Sequence, residues 1–294
     1  MKLVEDLIIG GAEVIKMSER LQKNFAKHER NNGELKADKF KGFKTDEKII
    51  DGCFTITVYN EECTNKHIFF LHGGGYVAEA TSSHRRVIED MVKNYHLKVT
   101  FVDYPLAPEN NYKRTHEAVM KIYKKITTVN SDDKFYLFGD SAGGGLALAF
   151  LQRLRDDKVF PFPKKTVLVS PWVDLTMSTK GIEEAAQKDP LLSMDILNEA
   201  SLDYSGGDNR SMAVMSPLNG RMDNLGDIFL LVGTHEILNP ECRMLKNKLM
   251  TSYGTNVTFY EGEKMVHDWI LAVPVYPEAI KAMDMIGNFY NEEV

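Results

Sequence analysis

A serine stands between two glycines in Gly139-Asp-Ser-Ala-Gly143, directly after the apolar run Phe135-Tyr-Leu-Phe138 and just before the helix-forming stretch Leu146-Ala-Leu-Ala-Phe-Leu-Gln-Arg-Leu154. A G-x-S-x-G turn from strand to helix holds its serine in a strained backbone conformation and raises the hydroxyl above the sheet edge. Ser141 is therefore read as a nucleophile. A second apolar run, Phe69-Phe-Leu71, ends in His72-Gly-Gly-Gly75. Acyl transfer passes through a tetrahedral oxyanion, and backbone amides in a loop without side chains are suited to meet it. The expected donors are the amides of Gly74, Gly75 and Ala142. A phosphate cradle would need a G-x-x-x-x-G-K-[ST] pattern, which the chain lacks. His72 is read as orienting this loop rather than as a base, because a base must reach the serine hydroxyl.

A serine nucleophile needs a base and an orienting acid, and in the hydrolase order both follow it in the chain. Two histidines do so, His235 and His267. His267 lies beyond the strand-like run Asn256-Val-Thr-Phe-Tyr260 and takes the last place in the order, so it is read as the base. The loop after Asp227-Ile-Phe-Leu-Leu-Val-Gly233 offers Glu236 and Glu241 but no aspartate. Glu236 is nearer the strand end, where a carboxylate can accept from the imidazole and stabilise the imidazolium. Glu241 opens a helix-prone segment, where a carboxylate is favourable on dipole grounds alone. Glu236 is the preferred acid, with Glu241 as the alternative.

Strand-like runs around residues 54–59, 67–71, 99–103, 135–139, 166–170, 227–232 and 256–260 are mostly separated by segments long enough for a crossover helix. That alternation predicts an α/β chain with a mostly parallel central sheet and helices on both faces. At 294 residues, one catalytic domain spanning 1–294 is expected. Two stretches fall outside the alternation. In the amino-terminal segment to residue 45, Leu3, Leu7, Val14 and Leu21 have roughly helical spacing. The other runs from about residue 175 to 217, with helix-prone pieces near 182–186 and 196–204.

The blocks His72-Gly-Gly-Gly75, Asp103-Tyr-Pro-Leu-Ala-Pro-Glu109, Gly139-Asp-Ser-Ala-Gly-Gly144 and Ser170-Pro-Trp-Val-Asp-Leu-Thr176, then the loop from Gly233 to Leu238 and finally His267, follow one another in order. In this the chain resembles the hormone-sensitive-lipase-like family of α/β-hydrolases, which includes many bacterial carboxylesterases. The resemblance implies the α/β-hydrolase fold with 1–45 and 175–217 as a helical cap over the site. It implies Ser141 as nucleophile, His267 as base, and Gly74, Gly75 and Ala142 as oxyanion donors. It also puts Glu236 where the family usually has aspartate. Two further departures are Pro105 in place of the common arginine, and Asp268-Trp269 after the histidine in place of glycine and phenylalanine. A cap would exclude water and add an apolar wall, to which Met177, Met194, Met212 and Met215 could contribute, although packing explains them equally well.

The resulting expectation is a serine carboxylesterase acting on small, short-acyl esters through a Ser-His-Glu triad and an acyl-enzyme, with no cofactor and no metal. An amidase or acyltransferase would use the same residues, and a non-catalytic ligand-binding homologue is a third reading. The net charge of −6 argues against nucleic acid or an anionic membrane as main partner. No apolar run is long enough to span a bilayer, and acidic residues Glu5, Asp6, Glu13 and Glu19 do not fit a signal peptide. Cys53, Cys63 and Cys242 form no CxxC motif. A cytoplasmic protein without a stable membrane anchor is expected, and a homo-oligomer stays open.

Overall fold

Residues in the apolar runs alternate between two cores. In β3 (Lys66–Leu71), Phe69 and Leu71 join one hydrophobic cluster, while Ile68 and Phe70 join another on the opposite face. In β7 (Gly226–Gly233), Ile228, Leu230 and Val232 face the first cluster, and Phe229 and Leu231 the second. A sheet apolar on both faces must be covered on both. The computed structural model describes residues 32–293. In it, α1 (Ser82–Tyr95) and α7 (Pro277–Asn291) cover one face through Val87, Ile88, Met91, Met283 and Ile286. The other face carries α2 (Tyr112–Val129), α3 (Ser141–Asp156) and α6 (Asn239–Met250).

The remaining strands are β1 (Lys44–Ile50), β2 (Cys53–Tyr59), β4 (Lys98–Val102), β5 (Lys134–Asp140), β6 (Lys165–Val169) and β8 (Thr255–Gly262). Their order in the sheet is β1-β2-β4-β3-β5-β6-β7-β8. β2 is antiparallel to β1 and β4, and all other pairs are parallel. Seven strands lie where the apolar runs predict. The eighth, β1, is not among those runs. Its sequence Lys44-Thr-Asp-Glu-Lys-Ile-Ile50 is mostly exposed, and the charges suit an edge strand, where they discourage pairing with another chain.

Register brings the carboxyl ends of the central strands together: Leu71 pairs with Gly139, Asp140 with Val169, and Gly233 with Gly262. The first residue of α3, Ser141, and the loops leaving this edge, which carry His72, Ser170, Glu236 and His267, therefore lie together. Between β6 and β7 the chain forms α4 (Ile182–Ala186) and α5 (Met194–Ser205). α5 docks through Tyr204, whose ring stacks on Tyr76 at 3.8 Å, and Tyr76 lies right after the glycine loop. Asp189 accepts from the amide of Ile237 at 2.8 Å, which fastens this insertion to the Glu236 loop. Met177 and Met215 are buried in the core, Met194 is partly buried against it, and Met212 is exposed, so packing accounts for three of the four methionines. The helical spacing at Leu3, Leu7, Val14 and Leu21 lies outside the described residues.

Candidate active site

β5 runs into α3 with Ser141 at φ 51°, a left-handed conformation that costs a non-glycine residue about 1–3 kcal/mol when held in place by its surroundings. The turn is tight. A Cβ on Gly143 would come within 2.1 Å of the Leu71 carbonyl oxygen and 2.4 Å of that of His72, both backbone atoms that cannot yield. This close approach presses the glycine loop against the elbow. Gly143→Ala is expected to destabilise the protein by about 1–3 kcal/mol and to push the loop away from Ser141. Thermal unfolding, with ester turnover at a temperature where the variant is folded, measures both effects.

The glycine loop is held at several points. The amide of Gly73 donates to Asp140 Oδ2 at 3.0 Å, and His84 Nε2 donates to the same oxygen at 3.1 Å. Gly74 has φ 121°, and a Cβ there would meet the Ala78 carbonyl oxygen at 2.5 Å. Its carbonyl accepts from Val77 and Ala78, folding the loop back on itself. His72 is fully buried and stacks on Tyr104 at 4.4 Å, while its Nδ1 bonds to the Gly73 carbonyl at 2.6 Å. Burial lowers its imidazole to about 4, so it stays neutral and braces the loop. Gly74, Gly75 and Ala142 lie in the two segments that this packing holds together.

His267 Nε2 is 2.8 Å from Ser141 Oγ, and His267 Nδ1 is 2.8 Å from Glu236 Oε2. The structure thus brings three of the sequence-predicted residues into one hydrogen-bonded chain, and both side chains on the imidazole are buried. The loop after β7 explains how a glutamate reaches. Glu236 folds back over the strand end, where Oε1 accepts from the Gly233 amide and from Ser170 Oγ at 2.9 Å. Asn239 closes the turn by donating to the Gly233 carbonyl at 2.8 Å. The extra methylene is taken up by this fold-back.

Glu241 goes elsewhere. It is fully buried in the first turn of α6, and its Oε1 accepts from the amides of Val173 at 2.6 Å and Asp174 at 3.4 Å. Burial pushes its carboxyl well above the usual range. His235 is only half-buried and pairs with Thr234 Oγ1 at 3.0 Å.

A residue without an assigned role in the sequence also enters. Asp268 Oδ2 is 3.2 Å from His267 Nε2, the same nitrogen that faces Ser141. Burial alone would hold the imidazole neutral. Asp268, by charge and hydrogen bond, and then Glu236 outweigh it and raise His267 well above the ordinary histidine value. No group of three or more metal-ligating side chains occurs among the described residues, and no helix among them is long and apolar enough to cross a membrane.

Residues 68–271 match the family described by the α/β-hydrolase fold. Over 223 residues the chain is 30% identical to an acetyl-hydrolase of Streptomyces hygroscopicus, covering 76% of this chain and 74% of that one. It is 29% identical to an esterase of Acinetobacter venetianus over 229 residues, with 76% and 73% covered. Among solved structures, an esterase from the bacterial hormone-sensitive lipase family superposes with a TM-score of 0.81 at 26% identity, covering 95% of this chain and 96% of that one.

Proposed function

The chain belongs to the α/β-hydrolase family, as a hormone-sensitive-lipase-like esterase, and from that premise we propose that it hydrolyses small, short-acyl esters through Ser141, His267 and Glu236. The observation that carries this reading is the continuous chain of 2.8 Å contacts from Ser141 Oγ through His267 to Glu236 Oε2. His267 takes the Ser141 proton at Nε2 as Oγ attacks the ester carbonyl carbon. The amides of Gly74, Gly75 and Ala142 meet the oxyanion. Nε2–H then protonates the departing alcohol oxygen, leaving an acyl-serine. Water repeats the sequence, giving its proton to Nε2 and releasing the acid. Glu236 holds Nδ1–H throughout, with Ser170 and the Gly233 amide fixing its other oxygen.

The short-acyl preference draws support from the acetyl-hydrolase relative and from the buried aromatics beside the elbow. The Trp172 amide donates to the Ser141 carbonyl at 2.9 Å, and Tyr76 packs between Trp172 and Tyr204. In a chromogenic ester series from acetyl to decanoyl, kcat/KM is expected to peak at acetyl to butyryl and fall with longer chains. A peak at long chains removes the short-acyl reading. Inertness toward every ester, with turnover of matched amides, replaces esterase by amidase.

A further inference from the structure

Two neighbours in an extended chain point their side chains to opposite sides, yet Asp268 and His267 meet. The cause is Asp268's left-handed backbone, φ 51° and ψ 37°, which turns its carboxylate back onto the preceding imidazole. A structural explanation for the carboxylate is available in principle. Asp268 occupies the N-cap of the 3-10 turn Trp269–Ala272, where an aspartate ordinarily accepts from the first backbone amides. It makes no such bond. Its Oδ1 is buried with no hydrogen-bond partner among the described residues, and its Oδ2 is spent on His267 Nε2. The side chain is 8% exposed, so water screens this contact little.

We propose that Asp268 is a second carboxylate partner of the base, holding the Nε2 proton that passes from Ser141 to the leaving alcohol. This rests on the assignment of Ser141 and His267 above. A neutral imidazole with its proton on Nδ1 presents a lone pair at Nε2, and a carboxylate beside a lone pair is unfavourable. A proton at the His267–Asp268 contact removes the conflict, on Nε2 or on Oδ2. The resting pair therefore keeps one proton, and while it sits on Nε2 the imidazole cannot accept from Ser141 until that proton is lost to solvent. Burial raises Asp268 itself, to about 6, so the two groups titrate as one unit. The charged groups facing this unit are Glu236 from the loop after β7 and Asp140 from the elbow, both carboxylates that favour retention of the proton. Asp268 therefore moves the acid limb of the activity profile to higher pH. Once formed, the imidazolium is held at both nitrogens, Nδ1 by Glu236 and Nε2 by Asp268.

The test is the pH dependence of kcat and kcat/KM on a short-chain ester for wild type, Asp268→Asn and Asp268→Gly, beside Ser141→Ala. Asparagine keeps the shape, and glycine is at ease in the left-handed backbone, so a fold defect in one leaves the other to read. In both variants the acid limb is expected to fall by about one to three pH units. Activity at low pH should then rise relative to wild type, an effect that mere loss of packing would not give. Unmoved limbs in the folded variants overturn the role of Asp268. If Ser141→Ala retains wild-type turnover, the nucleophile assignment fails first, and with it the premise.

Discussion

Ser141→Ala and His267→Ala each lower kcat on a short-chain ester by about 10⁶-fold, and the double variant is no worse than either alone. The reason is that the two side chains perform one act. Without Oγ there is nothing for Nε2 to deprotonate, and without Nε2 the hydroxyl keeps its proton. The 2.8 Å contact between them is the geometry that this coupling requires. Residual turnover of about 10³–10⁴ over water is expected, because the oxyanion donors remain in place. Both substitutions remove side chains, and Ser141→Ala keeps the backbone conformation, so the unfolding temperature should change little there. A serine-directed phosphonate, detected by intact mass, should label wild type once and Ser141→Ala not at all. Additive losses in the double variant would mean that the two residues act separately, against a shared proton transfer.

The sheet was legible in the sequence because its central strands are buried on both faces. Runs such as Ile68-Phe-Phe-Leu71 and Ile228-Phe-Leu-Leu-Val232 admit few other readings. β1 was not, since its exposed, charged residues carry no apolar signal and its strand state depends on pairing with β2. Ser141 was legible because glycines on either side of a serine, between a strand and a helix, report a backbone constraint directly. Asp268 was not. Nothing in a list of residues says that position 268 takes a left-handed turn, and only that turn brings its carboxylate to Nε2. Ser170 was visible only as part of a motif block. Its hydroxyl donates to Glu236 Oε1 and receives the Asp268 amide at 3.4 Å, a link between both carboxylates that depends on the β6 loop.

The choice between Glu236 and Glu241 was open on sequence for a related reason: both follow closely on Gly233, and spacing cannot say which one folds back. The geometry separates them and gives opposite expectations. Glu236→Gln should cut kcat by about 10⁴-fold with the fold intact, because an amide at Nδ1 permits the tautomer in which Nε2 carries the proton and cannot accept one from serine. Glu241→Gln should leave kcat within a few-fold. Its burial already favours the neutral carboxyl, and glutamine keeps an acceptor for the Val173 and Asp174 amides. Glu241→Ala removes that acceptor and opens a cavity, at a cost of about 2–5 kcal/mol of stability. The pH dependence provides an independent reading. A carboxyl whose folded pKa is raised contributes stability that is lost as pH climbs from the ordinary carboxylate range toward the raised value. Wild type should lose that increment in thermal unfolding, and Glu241→Gln, which cannot ionise, should not. Collapse of turnover in Glu241→Gln with Glu236→Gln still active would exchange the two roles and leave the 2.8 Å contact at Nδ1 without a catalytic purpose.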